Sequence, residues 1–161
     1  VVRGKDDMEY VNKDVYGNFA LSGSLFLRSA NHPDFSDPYN LIYGHHMSNG
    51  AMFGDVVEFA GEEYFATHQT GSLYLPEQTY SITFFACVET DAMDEQIYGY
   101  VNDTNMSGQM QQLLQYIKEH AVQYRDIGVT DSNEILALST CAESATNGRV
   151  VLFGKLEKSK S

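Results

Sequence analysis

The chain has 161 residues, which is long enough for one domain with its own core, and its 43% hydrophobic and 20% charged residues are ordinary for a globular protein. Its formal net charge of −12 at pH 7 disfavours contact with nucleic-acid phosphates and with anionic lipid, so neither is expected as a partner. Two cysteines are too few for a disulfide scaffold.

The ends of the chain suggest a piece of a longer protein. The sequence begins without Met in mid-pattern, and it contains neither a signal-peptide pattern nor an apolar run of 18 residues. We therefore expect a single domain over 1–156, a disordered tail over 157–161, and any membrane anchor outside this chain.

In chain order, the first half mixes short strands with one short helix. Alternating apolar residues with Gly and Ser predict two short strands around a turn in 16–28, and an apolar run predicts a strand in 39–44. A stripe formed by Met52, Val56 and Phe59 predicts a short helix within 48–68 that ends at Gly61.

The second half adds strands and a longer helix. Apolar and aromatic runs predict strands in 72–76, 79–90, 134–141 and 149–156, and helical spacing predicts a helix in 107–124 with Ser107 as its N-cap. Because strands and helices do not alternate regularly, a doubly wound parallel sheet is disfavoured. The predicted fold is mainly β, a β-barrel with helical insertions.

Cys141 ends one apolar strand beside the small polar stretch "AESATNG". A thiolate is a strong nucleophile, and a strand end is a place that a substrate can reach. The alternative, that Cys141 is a small buried hydrophobic residue, stays open on position alone.

A histidine and an arginine could act with this cysteine. His45 and His46 follow the strand "YNLIYG", and because neighbouring strand residues point to opposite faces, only one of them can face the thiol. Arg149 opens the last strand, where its guanidinium could donate to a substrate carbonyl or an oxyanion, or could instead pair with Glu143 at the surface. No CxxC, HxxxH or HExxH motif is present, so no metal site is predicted.

Two segments, "NLIYGHHMSNGAMFGDV" and "LALSTCAESATNGRVVLFGKL", resemble the two catalytic motifs of sortases, the cysteine transpeptidases of Gram-positive cell surfaces. The segments "GSLFL" and "TFFACVETD" also fit that family. The helix predicted in 107–124, before the cysteine strand, makes the chain most like class B sortases.

The resemblance implies roles for particular residues. It makes His45, and not His46, the catalytic histidine, Cys141 the nucleophile and Arg149 the catalytic arginine. Three further residues are expected to line the substrate groove: Ser139, Thr140 and Glu143. Cys87 matches neither motif and is expected in the core, without a bridge to Cys141.

The resemblance also implies an activity and a place of action. We expect an eight-stranded barrel on the extracellular face of a Gram-positive membrane. It would cleave a C-terminal sorting motif, NPQTN-like or LPxTG-like, through a thioester, and pass the protein to an amine of the cell-wall precursor without a cofactor. The alternatives are a pilin-polymerising sortase, a cysteine hydrolase, and a non-catalytic surface-binding domain on the same barrel.

Overall fold

Strands dominate the part of the chain that the structure, a computed structural model, describes: residues 1–45, 52–103, 108–141 and 148–159, with only the backbone of residue 141. The strands within these ranges are β1 (Val2–Arg3), β2 (Phe26–Leu27), β3 (Tyr39–His45), β4 (Thr70–Tyr74), β5 (Thr79–Asp91), β6 (Ala121–Tyr124), β7 (Glu134–Cys141) and β8 (Gly148–Lys158). The helices are a 3-10 helix (Gly54–Ala60), α1 (Glu62–Thr67), α2 (Glu95–Tyr98) and α3 (Gln109–His120).

These strands form one curled sheet in the order β1-β2-β3-β7-β8-β5-β4, with β6 also paired to β5. β3 and β7 run parallel, whereas β8 is antiparallel to both of its neighbours, β7 and β5. The mainly β fold that the sequence predicts is confirmed. The parallel pair β3–β7 matters most for function, since it brings two strand ends that are far apart in sequence to one edge.

Both faces of the central strands are buried. One face packs under the 3-10 helix and α1 through Ile42, Leu136, Leu152, Val56, Phe59 and Phe65. The other packs under α2 and α3 through Leu41, Ala137, Phe153, Ile97, Leu113 and Ile117. Because successive strand residues point to opposite faces, a strand covered on both sides must be apolar throughout, which explains the unbroken apolar runs of β5 and β8.

Cys87 lies in β5 with no solvent exposure, and it is a free thiol. Burial, with a smaller contribution from Glu89, raises the pKa of Cys87 to about 12. The prediction that this cysteine packs in the core is confirmed.

Two predicted helices differ in extent from the observed ones. The 3-10 helix buries Val56 and Phe59, but Met52 precedes it with a positive φ of 56° and is 38% exposed, so Met52 is not part of the buried stripe. The helix predicted to run through Tyr124 ends at His120. Residues Ala121–Tyr124 form β6 instead, because pairing with β5 outweighs a helical pattern that only local sequence supports.

The short strands near the N-terminus and the C-terminal tail also differ from what the sequence predicts. Of the two strands predicted in 16–28, only Phe26–Leu27 forms, together with one isolated bridge between Lys13 and Phe19. The predicted disordered tail is wrong for 157–158, which continue β8, while residues 160–161 lie outside the described part. The N-cap of α3 is Gly108, and the predicted cap Ser107 lies outside the described residues.

Candidate active site

The ends of β3 and β7 meet at one edge of the sheet. The parallel register pairs seven residues of each strand, and its last pair is His45 with Cys141. In a parallel pair the carboxyl ends of both strands lie at the same edge, so a histidine and a cysteine distant in sequence become backbone neighbours. The side chain of Cys141 lies outside the described part.

Gly44 lets the backbone before His45 pass close to two apolar side chains. A Cβ at this position would lie 2.4 Å from Leu25 Cδ2 and 2.7 Å from Phe53 Cδ2, closer than real contacts allow. The Phe53 amide in turn donates to the His45 carbonyl at 2.9 Å. Close packing of Leu25 and Phe53 against Gly44 therefore fixes the end of β3.

The His45 ring is half-buried and engaged by the backbone. Its Nε2 lies 2.6 Å from the carbonyl oxygen of Val11, which reaches the strand end from the N-terminal segment. A carbonyl oxygen can only accept, so this contact is a hydrogen bond when Nε2 carries the ring proton. This contact orients the ring.

Arg149 shares a cavity with His45. It lies near the start of β8, opposite Thr90 of β5, and its Nη1 donates to the Gly148 carbonyl at 3.2 Å. The cavity measures about 310 Å³ and is lined by Asp7, Met8, Val11, Phe26, Tyr43, His45 and Arg149. The alternative partner of Arg149, Glu143, lies outside the described residues.

Ser139 and Thr140 are held inside the protein just before Cys141. Ser139 is fully buried, and its Oγ lies 2.7 Å from the Tyr98 hydroxyl. Thr140 is 4% exposed, and its hydroxyl oxygen accepts from the amide of Val150 at 2.9 Å. These bonds hold the end of β7 against α2 and β8, and direct contact of either residue with a substrate stays a prediction.

Sequence reasoning missed several residues around the cavity. Tyr98 of α2 stacks on Tyr43 at 6.2 Å between ring centroids, and Tyr43 stacks on Phe26 at 5.2 Å, so three rings lie in a row beside the cavity. Tyr43 lies inside the "YGH" motif and could have been found there. Phe26 and Tyr98 come from remote segments that carry no catalytic pattern.

The other described histidines have partners away from this cavity. The Nδ1 atom of His32 lies 2.9 Å from Oδ1 of Asp37, and the ring of His68 stacks on Tyr64. His120 closes α3, where its ring stacks on Tyr116 and its Nδ1 lies 2.9 Å from the Tyr116 carbonyl oxygen. His46 lies outside the described residues.

The fold and the sequence are both similar to those of class B sortases. The structure superposes on a Streptococcus pyogenes class B sortase involved in pilus biogenesis with a TM-score of 0.86 and 38% identity, covering 97% of this chain and 83% of that one. It superposes on a Staphylococcus aureus sortase B–substrate complex with a TM-score of 0.89 and 25% identity, covering 98% and 73%. Sortase B of Listeria monocytogenes is 28% identical over 158 residues, which is 97% of this chain. No protein-family model matches the sequence.

The architecture is thus the curled sheet of class B sortases, with a histidine strand and a cysteine strand side by side. The chain belongs to the sortase family, and it is most like class B. It spans 63% and 64% of the lengths of two curated relatives, the sortases B of L. monocytogenes and S. aureus. Across the described ranges, none of the helices has the length and apolar character needed to cross a membrane.

Proposed function

We propose that this chain is the catalytic domain of a cell-surface cysteine transpeptidase, with His45, Cys141 and Arg149 as its catalytic residues. The observation that carries the proposal is the parallel register that pairs His45 with Cys141 at the edge where Arg149 lines the same cavity. The membership of the chain in the sortase family supports the same assignment.

In the first half-reaction, the Cys141 thiolate attacks the carbonyl carbon of a Thr in a C-terminal sorting motif. The guanidinium of Arg149 donates to the oxygen that becomes negative in the tetrahedral intermediate. As the C–N bond breaks, the His45 imidazolium gives its proton to the leaving amine, and a thioester between Cys141 and the Thr carbonyl remains.

In the second half-reaction, a primary amine attacks the thioester and loses a proton to His45. The C–S bond breaks, an amide forms, and the thiolate of Cys141 and the imidazolium of His45 are restored. Water in place of the amine would give a free acid, so the outcome depends on which acceptor enters the site. We propose that Glu143 lines the groove for the peptide, and that Ser139 and Thr140, which are buried at the end of β7, lie directly beneath it.

The test of the mechanism is loss of the thiol. Cys141→Ala should abolish both cleavage of a sorting peptide and formation of a covalent peptide adduct, measured by mass spectrometry of the intact protein. Cys87→Ala is the matched control, because it removes the other thiol, which is buried in the core, and should keep both activities if the protein folds. Cleavage by the Cys141 variant would sink the mechanism.

For the substrates, we propose NPQTN-like or LPxTG-like sorting signals, with a cell-wall precursor amine as the acceptor. A lysine of a pilin is the second candidate acceptor, because the S. pyogenes class B sortase that is 38% identical is involved in pilus biogenesis. A matrix of sorting peptides and amines, read by mass spectrometry, separates these cases. Amide products identify the acceptor, whereas acid alone would identify a hydrolase, and no turnover of any peptide would favour a non-catalytic surface-binding domain.

The place of action follows from these substrates. We propose that the domain works on the extracellular face of a Gram-positive membrane, held there by an anchor outside this chain. Fractionation of cells expressing the full-length protein, with protease added from outside, tests this. Protection of the domain from external protease in intact protoplasts would contradict it.

A further inference from the structure

A loop of the N-terminal segment, residues 10–24, carries the carbonyl that the His45 ring contacts. Backbone hydrogen bonds close this loop on both sides of Val11: Ser24 N donates to Tyr10 O at 3.1 Å, and Ala20 N donates to Asn12 O at 2.9 Å. The peptide groups before and after Val11 are therefore tied across the loop. The Val11 carbonyl is thus held in place before any substrate arrives.

Gly23 lies against that carbonyl from the opposite side of the loop. Its φ is +60°, a conformation that side chains disfavour, and a Cβ there would lie 2.3 Å from the Val11 oxygen and 2.9 Å from the Tyr10 oxygen. Backbone atoms tied by hydrogen bonds cannot move aside as the tip of a flexible side chain can. The lack of a side chain at Gly23 therefore allows the Val11 oxygen to occupy its position 2.6 Å from His45 Nε2.

We propose that the Val11 carbonyl, seated against Gly23, keeps a proton on Nε2 of His45, so that Nδ1 is the nitrogen that gives and takes the proton during transfer. The catalytic use of Nδ1 rests on the proposed function, whereas the location of the resting proton does not. Val11 and Gly23 are positioning residues, since they act only through the His45 ring.

The chemistry of imidazole explains why a hydrogen bond at Nε2 leaves proton exchange to Nδ1. A cationic ring has a proton on each nitrogen, and when it loses one, the proton that is already hydrogen-bonded is the more costly to remove. A hydrogen bond of ordinary strength favours one arrangement over the other by about two- to tenfold. The Nε2–H bond to Val11 persists in both charge states of the ring, so proton exchange is left to Nδ1.

Nitrogen NMR of the ring tests the resting proton directly. The protein is labelled with ¹⁵N in its histidine rings and measured at about pH 9, where an ordinary histidine is neutral. The His45 signals should then show a protonated Nε2 and an unprotonated Nδ1. A spectrum of His45→Gln identifies which signals belong to this ring. A neutral His45 with its proton on Nδ1 would overturn the proposal, whether or not the protein is active.

Two glycine variants separate positioning from general loop strain. Gly23→Ala pushes a Cβ into the Val11 carbonyl, so both tautomers of His45 should appear in similar amounts and kcat should fall by up to about twofold with little change in KM. Gly17→Ala is the matched control, because Gly17 lies in the same loop with a φ of +87°, yet a Cβ there meets nothing within 4 Å. That variant carries similar backbone strain and should keep the tautomer and the kcat of the wild type.

The outcomes distinguish the proposal from the proposed function. If Gly23→Ala keeps the wild-type tautomer and kcat, Gly23 does not seat the carbonyl. If Gly23→Ala fails to fold, the wild-type spectrum still decides where the proton lies. If the wild type shows Nε2–H but turns over no sorting peptide, the resting proton is as proposed and only the transpeptidase assignment fails.

Discussion

Gly44→Ala is the substitution that most directly tests how the end of β3 is built. The added Cβ would lie 2.4 Å from Leu25 Cδ2 and 2.7 and 2.8 Å from two ring carbons of Phe53. Relieving such overpacking typically costs about 1–3 kcal/mol. Alanine also lowers the conformational entropy of the unfolded chain relative to glycine, which offsets about 0.4–1 kcal/mol of this cost.

The net loss of stability expected for Gly44→Ala is therefore about 1–2 kcal/mol. For a chain of this length each kcal/mol lowers Tm by about 2–4 °C, so Tm should fall by about 2–8 °C. Activity should fall by more than stability explains, since Gly44 precedes His45 and a 1 Å misplacement of a catalytic group can cost about 100-fold.

Thermal unfolding and peptide cleavage, measured on the same preparations, provide the assay. Gly71→Ala is the matched control: Gly71 is also a strand glycine, but a Cβ there would lie 3.3 and 3.4 Å from the Phe84 ring, a tight contact without overlap. We expect its Tm and activity to stay close to those of the wild type. Equal stability and activity of the two variants would refute the claim that close packing requires glycine at position 44.

Three further outcomes are expected. Tyr98→Phe removes the 2.7 Å hydrogen bond between the Tyr98 and Ser139 hydroxyls, while Ser139 keeps its bond to the Thr140 carbonyl, so denaturant unfolding should show a loss of about 0.5–1.5 kcal/mol. The loss should shrink when Ser139 is already Ala, and an unchanged loss would contradict the pairing. Glu134 has a raised pKa, chiefly through burial, and its Oε2 finds no hydrogen-bond partner among the described residues. The protonated form of Glu134 favours the folded state, so its contribution to stability is lost as pH rises through that raised pKa. Glu134→Gln should therefore raise Tm at pH 7, but not at a pH below 4.5, the ordinary pKa of a glutamate. An equal change in Tm at both pH values would be inconsistent with this. Because burial raises the pKa of Cys87 to about 12, a thiol reagent at pH 8 should label Cys141 alone in the folded protein. Labelling of Cys87 at a similar rate would contradict its burial in the core.

The local sequence pattern was sufficient to predict an element or a site where both faces of the element are buried, or where a motif is continuous in sequence. The central strands β3, β5, β7 and β8 were predicted within a few residues, because burial on both faces requires unbroken apolar runs. The boundary at Ala121–Tyr124 was missed, since its strand state depends on pairing with β5, which lies more than thirty residues away. The N-terminal loop was missed because the backbone hydrogen bonds that close it leave no periodic side-chain pattern in the sequence.

The sequence by itself determined the family, the mainly β class and the three candidate catalytic residues, because these rest on short motifs and on alternation within single strands. Only the tertiary structure decided that β3 and β7 run parallel with His45 opposite Cys141. It also decided that the Val11 carbonyl meets the His45 ring and that Tyr98 holds Ser139. These contacts join segments that are remote in sequence, and a pattern along one segment carries no information about which other backbone or hydroxyl group will be folded against it.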